Sequence, residues 1–137
     1  KTRTIMERYG YKNVYRVTDY RHPFDGYMGQ DVILFEEFRS SLPLGDMLKY
    51  LDGYPVVLPC RYANKQACFT KVFICTNIPL SKQYPDLQRE CLPDFIALVR
   101  RIQVVSEYQA TGIQKYKIQY DKYGFRLLVD GEFTPFN

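Results

Sequence analysis

The sequence predicts an α/β domain: a parallel sheet with helices on its faces, plus β-hairpins. Three observations carry that prediction. Val32-Ile33-Leu34-Phe35 is an unbroken apolar run between polar residues, which reads as a strand buried on both faces. Val72-Phe73-Ile74-Cys75 is a second run of the same kind. Around them the chain alternates helical and strand-like segments, the order that suits parallel strands with covering helices.

Lys1 to Tyr9 holds good helix formers, with Ile5, Met6 and Tyr9 at helical spacing and Gly10 as the stop. Asn13 to Val17 alternates as a strand does. Thr18 to Gln30 carries His22-Pro23, Asp25-Gly26 and Gly29, which is loop chemistry. The buried strand Val32 to Phe35 follows. Pro43 starts a second helix, with Leu44, Met47, Leu48 and Leu51 as its apolar stripe and Asp52-Gly53 as its end. From Pro55 to Phe73 two strand-like runs flank Arg61-Tyr62-Ala63-Asn64-Lys65, a hairpin with a basic tip. The strand Val72 to Cys75 delivers Thr76-Asn77 at its carboxyl end. Pro85 to Pro93 is expected to be irregular. Pro93 to Val105 reads as a helix that offers Phe95, Ile96, Leu98, Val99 and Ile102 to a core. Lys115 to Asp130 alternates around Tyr123-Gly124 as a second hairpin.

The bulk numbers bound the function only loosely. The 137 residues are about one domain's worth, and the formal net charge of +4 permits a polyanionic partner without requiring one. None of Cys60, Cys68, Cys75 and Cys91 forms a C-x-x-C pair, so no zinc site is expected and reduced thiols in a cytosolic protein are the simplest reading. No signal peptide or membrane-spanning run is read in the chain, and no membrane partner is expected.

Chemistry gathers at strand ends. In open α/β sheets ligands bind outside the carboxyl ends of the strands. Glu36 and Glu37 sit there: one carboxylate can hold a hydrated magnesium ion while the other orients and deprotonates a water. The same pair also suits a solvated loop after a core strand. Lys1-Thr2 before a helix matches the last two residues of a phosphate-binding loop, though the glycines of that motif are absent. Asn77 offers a carboxamide to an attacking water or a terminal phosphate, and equally suits a turn before Ile78-Pro79. Arg100 and Arg101 point about 100° apart on a helix, so one of them can reach a neighbouring subunit's nucleotide, although by themselves they read first as two solvated helix arginines. Arg61, Lys65 and Lys71, interleaved with Tyr62 and Phe69, combine cations for phosphates with rings for unpaired bases. An exposed hairpin kept soluble by its charges would look the same.

Taken in order, these features resemble the superfamily 3 helicase (AAA+) domain of replication initiator (Rep) proteins of plasmids and small circular single-stranded DNA replicons. The resemblance lies in Arg16 to Tyr20, His22 to Tyr27, Gln30 to Ser41, Leu51 to Pro55, Leu58 to Lys65 and Thr76 to Leu80, and covers roughly residues 1–103. It implies a three-layer P-loop NTPase fold whose first strand is missing from this sequence, as are the phosphate-loop glycines. Residues 1–105 would be part of the helicase domain, and 106–137 a hairpin extension of unassigned role. It further implies ATP and Mg²⁺ as cofactors. Lys1 and Thr2 would end the phosphate loop, with Thr2 and Glu36 on the metal and Glu37 as catalytic base. Asn77 would be the sensor residue, and Arg100 or Arg101, preferably Arg101, the finger supplied in trans. Arg61 and Lys65 would lie on a hairpin that grips single-stranded DNA inside a ring-shaped homo-oligomer, with RNA the alternative strand. The expected setting is the cytoplasm of a bacterial host, and the expected activity ATP-driven unwinding, with these residues alone binding ATP poorly. The rival expectation is a non-catalytic module that binds single-stranded nucleic acid or a replication partner.

Overall fold

Strand β2 (Val32–Phe35) lies between two parallel neighbours, β1 (Val14–Val17) and β5 (Lys71–Ile74), in the order β1-β2-β5. Its four side chains are at most 1% exposed. Each contributes about 1.5–3 kcal/mol by leaving water, which explains why the run is apolar without alternation. This computed structural model describes residues 1–122 and 124–136, and it forms two units, Lys1–Pro85 and Asp86–Asn137.

In the first unit, period-two alternation sends Val32 and Leu34 to one face of the sheet and Ile33 and Phe35 to the other. Helix α1 (Thr2–Tyr9) covers the first face: Ile5, Met6 and Tyr9 pack with Val14, Val32, Leu34 and Phe73. Gly10 ends the helix at φ +90°, a conformation that favours glycine, and its N–H donates to the Met6 carbonyl at 2.9 Å. Rings cover the second face. Phe35 meets Tyr20, Phe24 and Phe38 from the flanking loops and Tyr50 from helix α2 (Leu44–Leu51), with centroids 6.2–6.5 Å apart. Pro43 is the residue just before α2 rather than its first turn. The helix buries Leu44, Met47 and Tyr50, while Leu48 and Leu51 of the expected stripe are half-buried. Tyr50 enters the core because the facing sheet surface is itself aromatic.

Two short strands, β3 (Val57–Leu58) and β4 (Lys65–Gln66), form the expected basic-tipped hairpin. Lys71 is not part of it. It opens β5 in the central sheet, paired in register with Val32, because the N–H groups of Thr70 and Lys71 both donate to the Asp31 carbonyl. That places it at the opposite end of the strands from Glu36.

A helix stands where irregular chain is expected: α3 (Pro85–Glu90) has proline at its first position and Asp86 in its first turn, both favourable there. Helix α4 (Leu92–Arg100) stops earlier than the expected Val105, which instead starts β6 (Val105–Tyr108) opposite Tyr116. Pairing with a ten-residue neighbour outweighs the helical spacing at its end. That neighbour, β7 (Gly112–Asp121), also pairs with β8 (Gly124–Val129), as the sequence predicts, and with β9 (Thr134–Pro135). Tyr123, the first residue of the expected turn, lies outside the described residues. Phe95 of α4 packs on Phe125 of β8 with centroids 6.0 Å apart. Gly112 is required where β9 crosses β7, since a Cβ there would sit 2.3 Å from the Thr134 carbonyl oxygen.

Candidate active site

The carboxyl ends of the three parallel strands open into a cleft of about 290 Å³ lined by Lys1, Thr2, Arg16, Glu36, Glu37, Cys75, Thr76 and Asn77. Register explains the gathering. Glu36 continues the Leu34 face of β2, the side covered by α1, so its carboxylate meets Thr2 from that helix. The Thr2 hydroxyl donates to Glu36 Oε1, and the Arg16 guanidinium donates to Oε2 through Nε at 2.9 Å and through a second nitrogen. Arg16 stands opposite Leu34 in register and shares that face. The Glu36 side chain is 13% exposed, so its pairing with two donors matters.

Backbone bonds fix the turn after β2. The Glu36 N–H donates to Val17 O at 3.1 Å and the Phe38 N–H to Cys75 O at 2.9 Å. Between them Glu37 takes φ +48°, in the left-handed region that a non-glycine residue seldom occupies. The turn carries the second acid into the same cleft as the first. The Glu37 carboxylate makes no hydrogen bond or ion pair among the described residues, which leaves it available to a water. On the far side of the cleft, Lys1 Nζ donates to Asn77 Oδ1 at 3.1 Å and to the Thr76 carbonyl at 2.9 Å. Cation, hydroxyl, two carboxylates and a carboxamide thus face one volume.

Three further residues hold this arrangement, and sequence reasoning does not find them. Gln83, 4% exposed, accepts from the Ser40 N–H at 2.7 Å and donates to Phe38 O, Thr76 Oγ1 and Ile78 O at 3.2–3.4 Å. It ties the loop after Glu37 to the loop that carries Asn77. Tyr20 donates to the Glu36 carbonyl at 2.6 Å, and burial, reinforced by the charges of Glu36 and Glu37, pushes its phenol well above the ordinary range. Arg16 is the third. Its only trace in the sequence is a cation inside an alternating strand, twenty residues before Glu36. Burial likewise raises the Cys75 thiol, which disfavours its thiolate.

The other sequence-predicted residues lie elsewhere. Arg61 pairs with Asp25, and Lys65 Nζ donates to the carbonyls of Phe24 and Asp25, so the hairpin is anchored on the loop before β2. Tyr62 at its tip is 94% exposed, 6.0 Å from the Arg61 guanidinium. Lys71 pairs with Asp31 at 3.2 Å. Arg100 and Arg101 belong to the second unit and do not line this cleft. Arg101 is tied to its own helix, donating to Ala97 O at 2.8 Å with a buried Nε, whereas Arg100 is exposed and lies over the Tyr120 ring at 5.0 Å.

No protein-family model matches the chain. It is 29% identical over 94 residues to the replication-associated protein of beak and feather disease virus, a match spanning 69% of this chain and 31% of that protein. It is 35% identical over 81 residues to the replication-associated protein of canary circovirus, covering 58% of this chain and 26% of the relative. To the goose circovirus protein of the same name it is 33% identical over 79 residues, 58% of this chain and 25% of the relative. The matches thus span a third or less of each relative's length. No helix among the described residues is long and apolar enough to cross a membrane. Over part of its length the chain is thus similar to replication-associated proteins of circoviruses.

Proposed function

We propose that this chain is the nucleotide-hydrolysing part of a replication-associated protein, which uses ATP to drive unwinding of nucleic acid during replicon copying. The observation that carries the reading is the convergence of Lys1, Thr2, Glu36, Glu37 and Asn77 on one cleft at the carboxyl ends of three parallel strands.

The donor set suits magnesium. Thr2 and Glu36 present hard oxygen ligands side by side. Magnesium typically takes one or two protein oxygens and leaves its other positions to water and substrate phosphates. When bound there, the ion would neutralise charge on the phosphate oxygens. Lys1 adds a point charge for the β/γ-phosphates, and Glu37, unpaired and exposed, accepts a proton from the attacking water. Asn77 holds that water or the terminal phosphate through its carboxamide. Arg100, freer than Arg101, is the better finger for a neighbouring subunit in a ring-shaped oligomer. The hairpin of Arg61 and Lys65, with Tyr62 at its tip, faces the strand being moved, single-stranded DNA in the first instance.

The test compares Mg²⁺–ATP binding and turnover by this chain and by a version carrying further residues ahead of Lys1. Thr2→Ala and Glu36→Gln should weaken Mg²⁺-dependent binding. Glu37→Gln should keep ATP binding while turnover falls about 10²–10⁴-fold, the usual contribution of a positioned base. Full turnover in Glu37→Gln would remove the base assignment. Binding indifferent to Lys1, Thr2 and Glu36 in both versions would remove the site.

A further inference from the structure

The second unit holds a cleft of its own, about 360 Å³, lined by α4 and the β7–β8 hairpin. Leu92, Ile96 and Arg100 recur every four residues, so they form one row along the helix. Across from that row stands Tyr120. It is directly opposite Phe125 in the ladder and shares the sheet face that Phe95 covers. The ring is 37% exposed, and the Arg100 guanidinium lies over it at 5.0 Å. Lys122 and Asp121 at the end of β7 complete the rim.

We propose that this cleft binds a nucleobase of single-stranded nucleic acid, with Tyr120 and Arg100 as the stacking platform and Lys122 beside the strand's phosphate. The volume falls in the range of small-ligand clefts. The floor of Leu92, Pro93 and Ile96 is apolar and suits a flat, weakly hydrated ring. An exposed aromatic and a planar guanidinium are the two side-chain surfaces on which unpaired bases stack, and any base has a face to offer. Cations at the rim complement the backbone charge, while Asp121 can accept from an exocyclic amino group. The proposal shares its polymer with the function proposed above but not its nucleotide cleft, and it gives Arg100 a second use, in cis, that competes with a role in trans.

The test is fluorescence anisotropy of a labelled 20-nucleotide DNA strand, an abasic strand of equal length and an RNA strand, titrated with the whole chain without ATP. Tyr120→Ala should weaken binding of the base-bearing DNA by about 5- to 150-fold, the range for one lost base stack, and leave the abasic strand unchanged. Tyr120→Phe should restore binding, which separates a lost ring from a lost fold. Arg100→Lys, which keeps the charge but not the plane, should weaken the base-bearing strand more than the abasic one. Stronger binding of RNA with the same dependence on Tyr120 would assign the cleft to RNA and overturn DNA as its ligand. No preference of the wild-type chain for bases, or equal losses on both DNA strands in Tyr120→Ala, overturns the proposal. The titrations contain no ATP, and Tyr120 does not line the nucleotide cleft, so Tyr120→Ala should leave ATP turnover unchanged and the nucleotide site stands or falls separately.

Discussion

Replacing Phe24 by alanine tests the core and the hairpin anchor together. Phe24 is fully buried, and its ring centroid lies 5.0 Å from Tyr50, 6.3 Å from Phe35 and 6.5 Å from Tyr15. Removing a buried phenylalanine side chain costs about 3–5 kcal/mol, in which each aromatic contact accounts for about 0.5–1.5 kcal/mol. We expect a loss of about 4 kcal/mol, because the ring packs against two strands and a helix: Tyr15 of β1, Phe35 of β2 and Tyr50 of α2. Against a total of roughly 5–15 kcal/mol for a domain, that is a large share. The assay is urea unfolding at 25 °C by far-UV circular dichroism, with the midpoint falling and the slope unchanged. The residue also carries a carbonyl that accepts from Lys65, and its neighbour Asp25 holds Arg61. Amide exchange in residues 58–66 should therefore accelerate in the same variant. A loss below about 1 kcal/mol would refute the packing described, since no fully enclosed ring in three aromatic contacts can be that cheap to remove.

Three other outcomes follow from the same geometry. Gln83→Leu leaves the Ser40 N–H without its acceptor and should cost about 1–3 kcal/mol, with turnover falling further than thermal stability alone explains; equal catalytic efficiency would remove Gln83 as a positioning residue. Asp25 is held below the ordinary carboxylate range first by its bond from Arg61, and Asp31 by its bonds from Thr70 and Lys71. Their contribution is therefore present above the unfolded value near 3.9 and lost as pH falls through it toward the folded values, so the urea midpoint should drop from pH 5 to pH 3, and less steeply in Asp25→Asn/Asp31→Asn. An unchanged slope in that double variant would count against both pairs. Gly112→Ala should prise β9 from β7, read as faster amide exchange at Ile113 and Phe136, because the added carbon meets backbone oxygen rather than a movable side chain.

The sequence by itself determined the α/β class and set two acids directly after the central strand. Val32 to Phe35 reads as a strand buried on both faces, and the acids that follow it then stand where such sheets bind ligands. Gly10, Asp52-Gly53 and the alternation after Lys115 punctuate the chain by local rules that need no partner. What lay beyond the sequence depends on contacts distant along the chain. Val105 belongs by spacing to a helix and by pairing to a sheet, and the pairing prevails because β7 is there to receive it. Lys71 follows the hairpin in sequence, yet hydrogen bonds to Asp31 carry it into the central sheet. Arg16 becomes a partner of Glu36 only through the parallel register of β1 and β2, and Gln83 becomes the clamp of two loops only once both strands end side by side. Local pattern sets which segments form strands and helices, because period and punctuation act within a few residues. Which charged groups meet was decided by tertiary structure, because a hydrogen bond over twenty or forty residues leaves no periodic trace.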